Sequence, residues 1–244
     1  MSGYKSFAVF YDRLMADMDY DGKAAYFLDL FAAFGQPQPT CVVDLACGSG
    51  GLTVPLVNRQ IDTIGVDLSA EMLSLAKQKL PDTLFLQQDM RELSLGGTVD
   101  GVVCGMDSIN HLCKTADVAA VFAAVHRALA DGGLFVFDVN TPHKHRAVLA
   151  DNAFVFEEDD FFCVWQNCLI EKTNEVDMLL DIFAVREDGG YDRFCDHVRE
   201  RAYSEKTLRR LLTEAGFTVL AVYEDMTDNA PAADTERMVF VARR

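Results

Sequence analysis

The sequence predicts an α/β fold: a doubly wound sheet of seven strands with the last strand antiparallel, and a small antiparallel β insertion before the last helix. Three observations predict it. Short apolar runs alternate with segments of helical periodicity from about residue 23 to 150, the pattern of parallel strands joined by right-handed helical crossovers. Period-two alternation replaces this pattern from about 152 to 203, as in an antiparallel sheet. Helical periodicity then returns in SEKTLRRLLTEAGF, and TVLAVYED and ERMVFVAR end the chain as an antiparallel pair of strands.

Taken in order, residues 23–34 are helix-like and CVVDL at 41–45 is a short buried strand. Residues 51–59 read as a helix whose Pro55 requires an early or irregular turn. DTIGVD at 62–67 is the second strand. Ser69 stands at the N-cap of the next helix, with Glu71 in its first turn and Met72, Leu73, Ala76 and Leu80 at helical spacing. Strands follow at 83–87 and 99–104. Val118, Val121, Phe122, Val125 and Leu129 form one helical stripe, stopped by Asp131-Gly132-Gly133, and LFVFDV at 134–139 is a further buried strand. After about 152, FFCVWQNCLIEK, EVDMLLDIFAVRED and YDRFCDHVRERAY read as three extended segments, two of them joined by a hairpin turn at Asp188-Gly189-Gly190. Val176, Met178, Leu180, Ile182 and Ala184 alternate onto one face. Ser204 caps the last helix and Gly216 ends it.

Composition narrows the function. The 244 residues are half hydrophobic and one quarter charged, ordinary for a globular chain that buries a real core. No apolar run approaches the roughly 20 residues that span a bilayer, and MSGYKSFAVFYDRLMADMDY is not a secretion signal. A cytoplasmic protein with no membrane association is expected. The net charge of −16 without a basic block argues against nucleic acid, whose binding draws on cations that neutralise phosphates. The seven cysteines form no C-x-x-C pair and are expected to be reduced and buried. His143 and His145 flank Lys144 in a polar turn without a third ligand, so no metal site is expected.

The chemistry concentrates at the ends of the strands, where open α/β sheets bind their ligands. In VVDLACGSGG, Gly48, Gly50 and Gly51 allow a tight turn before a helix N-terminus, but Thr53 stands where G-x-G-x-x-G needs its third glycine. Asp44, just before the loop, would repel a pyrophosphate and attract a cation. Asp67 ends the second strand, placed to accept from a ribose diol. Asp89 follows the third strand, placed to accept from an exocyclic amine, and the neighbouring Met90 thioether to pack on a flat ring. The three acids define a ligand with a ribose, a purine-like base and positive charge but no phosphate. S-adenosylmethionine has that description. Taken singly, Asp44 also reads as a cap for loop N–H groups and Asp67 as a solvated strand-end acid.

VVDLACGSGGLT resembles the first motif of the class I S-adenosylmethionine-dependent methyltransferases, and TIGVDLSAEML the second. FLQQDMREL, TVDGVVCGMDSINHL and ALADGGLFVFDVNT resemble the later motifs in order, and EAGF…ERMVFVAR resembles the closing elements of that fold. The chain is most similar to small-molecule members with an antiparallel insertion, including aminosugar N,N-dimethyltransferases. The resemblance implies a Rossmann-like fold and cofactor contacts at Ala46, Gly48, Asp67, Leu68, Asp89 and Met90, with Met106 lining the adenine or methionine end; Asp44, Gly50 and Met72 are further cofactor-binding candidates. It also implies an N-terminal segment closing over the cofactor, with Tyr20 as a contact and Tyr11 as a contact or catalytic group. The expected division is a helical cap at 1–40, the cofactor-binding domain at 41–150 and 204–244, and the insertion at 151–203 as substrate lid or dimer interface.

For the methyl acceptor, His111 in MDSINHL matches a histidine near the substrate in aminosugar N-methyltransferases, placed to take a proton or position the acceptor. It and Asn110 also read as loop hydrogen-bonders, and Asp107 as a partner for a cationic acceptor or a turn cap. The motif N/D-P-P-Y of many nucleic-acid and protein N-methyltransferases is missing here. In the insertion Trp165, His197, Arg199, Arg201 and Tyr203 are acceptor-site candidates. Alternation puts the last four on one face, to hold an anion or to pair across strands with Glu175, Asp177 and Asp181. The expected activity is methyl transfer to a small amine, hydroxyl or carboxylate, by a monomer or homodimer. The competing readings are an RNA methyltransferase, a non-catalytic cofactor-binding module and, last, a nicotinamide-dependent dehydrogenase.

Overall fold

The computed structural model describes residues 8–244. Helices α1 (Ala8–Leu14) and α2 (Tyr20–Ala33) lead into β1 (Cys41–Leu45), α3 (Thr53–Asn58), β2 (Asp62–Asp67), α4 (Ala70–Lys79), β3 (Leu84–Gln87), β4 (Val99–Cys104), α5 (Thr115–Ala128) and β5 (Leu129–Asn140). The insertion holds β6 (Ala153–Glu157), β7 (Phe161–Ile170), β8 (Glu175–Val185) and β9 (Tyr191–Arg201). The chain ends with α6 (Glu205–Glu214), β10 (Thr218–Glu224) and β11 (Arg237–Arg243). The main sheet has the order β10-β11-β5-β4-β1-β2-β3. β1 to β5 are parallel, and β11 runs antiparallel to both β5 and β10. Strand order reverses between β1 and β4, so a crevice opens beyond their carboxyl ends.

Alternation along the central strands sends their side chains to two helical layers. Val42, Val103, Val136 and Val241 meet Ala24, Phe27 and Phe31 of α2 and Leu56 of α3. Val43, Val102, Phe135, Phe137 and Phe240 meet Val121, Phe122 and Val125 of α5 and Leu208 and Leu212 of α6. α2 therefore packs on the body of the sheet, while α1 and the first residue of α2, Tyr20, lie over the crevice. The Ser69 cap is present, its hydroxyl accepting from Met72 N, and Ser204 caps α6 in the same way.

Three local readings change. α5 ends at Ala128, because Leu129 is already extended and paired with Val99; residues 130–133 then bulge before Leu134 pairs with Gly101. The insertion is a four-stranded sheet, β6-β7-β8-β9, rather than three strands. β6 is a five-residue edge strand with no buried residue, which leaves little apolar pattern to detect. His145 is fully buried in a π-helical turn rather than lying in a polar one. The alternation in β8 is as expected, with Val176, Met178, Leu180 and Ile182 buried.

The seven cysteines are free thiols, but Cys168 and Cys195 are exposed, because they fall on the outer face of the insertion sheet. Among the described residues no helix is long and apolar enough to cross a membrane, and no cluster of metal-ligating side chains forms.

The exit of β4 is pinned by a buried ion cluster. Met106 and Asp107 are consecutive non-glycine residues with φ of 58° and 54°, a left-handed conformation that costs roughly 1–2 kcal/mol per residue. Their backbone N–H groups donate to the two oxygens of Asp138, at 3.0 and 2.7 Å. Asp138, on β5, is fully buried and is held by Lys23 of α2 at 2.8 Å and Arg237 of β11 at 2.6 Å. Burial opposes its ionisation, but Arg237 and Lys23 outweigh it and hold the carboxyl well below the usual range. Arg237 also reaches Asp107 at 3.1 Å, and Lys23 reaches Asp225 at 2.5 Å. Asp138→Asn leaves two buried cations short of their counter-charge, so chemical denaturation should show a loss of about 3–5 kcal/mol. Arg210→Ala, which removes an exposed ion pair with Glu214, should cost under about 1 kcal/mol.

Candidate active site

The carboxyl ends of β1 to β4 open into a cavity of about 1160 Å³. This exceeds the roughly 300–1,000 Å³ of a pocket for one small ligand. One half is built by the strand ends. Asp44 is almost wholly buried and accepts from Thr53 Oγ1 at 2.6 Å. Burial, with Asp67 nearby, pushes its pKa up to about 7 despite that bond. Asp67 accepts from Gly48 N and Ser69 N, each at 2.8 Å. Burial raises its pKa as well, while the loop N–H groups oppose the rise. A carboxylate has about four acceptor positions, so Asp67 can bind the loop and still receive two ligand hydroxyls. Asp89 grips Arg91 through both oxygens, at 2.9 and 2.5 Å, a use of that acid absent from the sequence reading.

Ala46, Gly48, Leu68, Met72, Met90 and Met106 line the same half. Gly48 has φ of 54° and nothing within 4 Å of where a Cβ would stand, so its open side forms part of the wall. Gly50 does not line the cavity; it makes the turn at φ 83° and packs on Ala76. Gly51 lets Tyr20 lie on the loop, since a Cβ there would fall 2.6 Å from the tyrosine ring.

α1 roofs the cavity. Tyr11 lines it and bonds to Tyr20. Asp12 accepts from Ser49 of the glycine loop and pairs with Lys79 at 2.6 Å. Arg13 holds Asp160 of the insertion at 2.9 Å, and Phe10 packs on Phe161 and Phe194 at 5.5 Å. One short helix thereby ties the insertion to the glycine loop.

The insertion closes the other half with the inner face of its sheet. Trp165, Met178, Leu180, Asp196 and Glu200 line it, facing His111. Glu200 is 6% exposed and lies between two histidines, 3.8 Å from His111 Nε2 and 3.5 Å from His145 Nε2, with Asn140 Nδ2 at 3.3 Å. Burial opposes its ionisation, but His145, His111 and Asn140 hold its pKa below the usual value. Asp196 is equally buried, its Oδ1 taken by His197 N, its Oδ2 without a partner among the described residues. Burial raises its pKa. Sequence reasoning missed both acids by following the opposite face of β9; the same alternation that marked His197 and Arg199 also marks Asp196, Val198 and Glu200.

That opposite face pairs across strands. His197 and Arg199 touch the cavity wall, but both bind Asp177, at 3.3 and 2.7 Å. The structure does not bring Asn110, Arg201 or Tyr203 to the cavity. Asn110 is fully buried and bridges Asn140 and Arg201 backbone groups. Arg201 donates to Cys113 O, and Tyr203 to Leu112 O. All three fasten the loop after β4 to the insertion.

A methyltransferase-domain family matches residues 42–133, the span that builds the cofactor half. An S-adenosylmethionine-dependent methyltransferase from Clostridium acetobutylicum superposes with a TM-score of 0.87 at 30% identity, over 98% of each chain. YqeM, a methyltransferase-family protein of Bacillus subtilis, is 34% identical over 99% of this chain and 97% of its own. The dTDP-3-amino-3,4,6-trideoxy-alpha-D-glucopyranose N,N-dimethyltransferase of Streptomyces venezuelae is 32% identical over 120 residues, 49% of this chain and 50% of that protein. The chain belongs to the S-adenosylmethionine-dependent methyltransferases, whose members share this cofactor and the Rossmann-like fold. The residues present fit that cofactor: a carboxylate with spare acceptor positions, thioether and leucine surfaces for a flat ring, an open glycine wall and an acid, Asp44, whose ionised form suits the cationic end.

Asp44 yields a pH test. Its folded-state pKa lies above its unfolded value, so the ligand-free protein loses this group's stabilisation as pH rises from about 4 to about 7. A cation beside Asp44 requires the ionised form. Calorimetry should therefore show affinity for S-adenosylmethionine rising from pH 6 to 8, by up to about tenfold per pH unit below the Asp44 pKa. Asp44→Asn should flatten the rise.

Proposed function

We propose that the chain transfers the methyl group of S-adenosylmethionine to the nitrogen of a small amine. The observation that carries this reading is the pairing, in one cavity, of the strand-end acids with a second acidic wall, Asp196 and Glu200, beside His111. A buried carboxylate oxygen without a partner calls for an N–H or O–H donor, and an ammonium offers up to three. The amino-sugar dimethyltransferase from Streptomyces venezuelae, named for nitrogen methylation, supports the same acceptor class.

When bound, the cofactor supplies a methyl carbon on a positively charged sulfur, activated toward in-line attack. In this reading Asp67 holds the ribose hydroxyls, Met72 and Met90 flank the base, and Asp44 favours the cationic end. Tyr20 and Tyr11 close the site and exclude water. An amine arriving as ammonium must lose one proton before its lone pair is free. Asp196 holds the N–H groups, and the imidazole of His111 takes the proton, steadied as imidazolium by the Glu200 carboxylate. Further rate enhancement comes from holding nitrogen and methyl in line.

Incubating the protein with methyl-labelled cofactor and a metabolite extract should place label in a small amine; label appearing in RNA alone would overturn the reading. On the amine so found, His111→Asn should lower kcat by roughly 10²-fold or more with cofactor affinity unchanged. Asp67→Ala should weaken the cofactor by about 10²-fold through two lost charged hydrogen bonds.

A further inference from the structure

His145 is a buried histidine to which the reaction above assigns no role. It sits in the π-helical turn after β5, is fully buried and does not line the cavity. Its Nδ1 lies 3.0 Å from the backbone carbonyl of Asn174. A carbonyl oxygen only accepts, so Nδ1 carries a proton. Its Nε2 faces Glu200 Oε2 at 3.5 Å, long for a hydrogen bond, and has no other partner among the described residues. A bare Nε2 would aim its lone pair at a carboxylate inside a closed site, two acceptors with no proton between them.

Glu200 decides which group holds that proton. Its oxygens also face Asn140 Nδ2 at 3.3 Å and His111 Nε2 at 3.8 Å. An ionised carboxylate accepts from every one of these groups, whereas a protonated one turns an oxygen into a donor. Burial opposes ionisation of Glu200, yet His145, His111 and Asn140 hold its pKa below the usual value. Glu200 is therefore the carboxylate and His145 the imidazolium, a buried charge with its partner. The pairing matters to His111. A buried carboxylate with no second cation draws a proton onto the nearest imidazole before any substrate arrives, and a base that already holds its proton takes no other.

We propose that His145 is a positioning residue for proton removal from the methyl acceptor: an imidazolium seated on Glu200, it balances that carboxylate and leaves His111 neutral until the acceptor's proton arrives. The proposal rests on the reading of His111 as base given above and deepens it. The proton that moves goes from the acceptor's ammonium to His111, while the two ring protons of His145 stay on Asn174 O and Glu200. Glu200 then steadies the new imidazolium without having created it beforehand. The other charges facing this trio are Lys144 of the same turn, Asp107 and Asp67 beyond β4 and β2, and Arg237 of β11. Arg146 of the turn, and Glu171 and Lys172 near Asn174, are exposed. Arg199, Arg201 and Glu175 lie on the opposite face of the insertion sheet. Among the described residues none of these is hydrogen-bonded to Glu200 or His145, and a substitution at 145 leaves them all in place.

The test reads ring-nitrogen protonation by NMR on the full chain labelled with nitrogen-15 histidine, its five histidines assigned by single substitution. At pH 7 the His145 ring should carry a proton on both nitrogens and the His111 ring on one. Glu200→Gln should return His145 to a single proton, on Nδ1. His145→Gln keeps an N–H donor for Glu200 but removes the charge, so His111 should become doubly protonated at the same pH. On the amine found by labelling, the acid limb of the kcat profile of His145→Gln should move up by about one pH unit, with cofactor affinity unchanged. A histidine that only filled space would alter neither the His111 ring nor that limb. A singly protonated His145 in wild type at pH 7, or a His111 left neutral in His145→Gln, overturns the proposal. The wild-type spectrum decides if His145→Gln does not fold. Spectra as expected with an unmoved kcat profile would count instead against His111 as the base.

Discussion

A single buried carboxylate sets the geometry on which the rest of the cavity depends. Asp138 draws Lys23 from α2 and Arg237 from β11 onto β5, and offers its two oxygens to the N–H groups of Met106 and Asp107. Without an ionised acceptor there, two successive left-handed residues have little to hold them. With it, the chain leaving β4 turns back over the sheet and presents His111 to the cavity. The charge cluster stabilises little by itself, since desolvation consumes most of its attraction. Its contribution is to specify one path for a loop.

The two halves of the cavity are built by different means. The cofactor half is local: each acid ends its own strand, and the parallel sheet aligns those ends at the reversal of strand order. The other half is assembled from distant parts. β9 supplies Asp196 and Glu200, the turn after β5 supplies Lys144, and the loop after β4 supplies His111, while the buried His145 backs Glu200 from outside the cavity. Asn110, Arg201 and Tyr203 fasten these pieces together through backbone carbonyls rather than facing the ligand. α1 spans both halves, bonded to the glycine loop on one side and to the insertion on the other.

This division explains what could be read from the sequence. The strands, the Ser69 and Ser204 caps and the antiparallel end are local patterns, and so is the series of acids behind each strand. Glu200 and Asp196 were hidden because alternation in β9 assigns residues to faces without saying which face is inward, and the cationic face looked more chemical. His145 looked polar because its partners, Asn174 and Glu200, lie far along the chain. Asp138 sat inside an apolar run, LFVFDV, and nothing nearby announced Lys23 or Arg237. Charge clusters gathered by topology leave no spacing to read.

Amide hydrogen exchange tests the central claim most directly. Met106 and Asp107 lie in a loop, where amides ordinarily open with little free energy. Bonded to a buried, ionised Asp138, their N–H groups should exchange as slowly as those of Val103 and Phe137 in the core strands. Exchange of either amide at the rate of an exposed turn such as Gly189 would contradict the account.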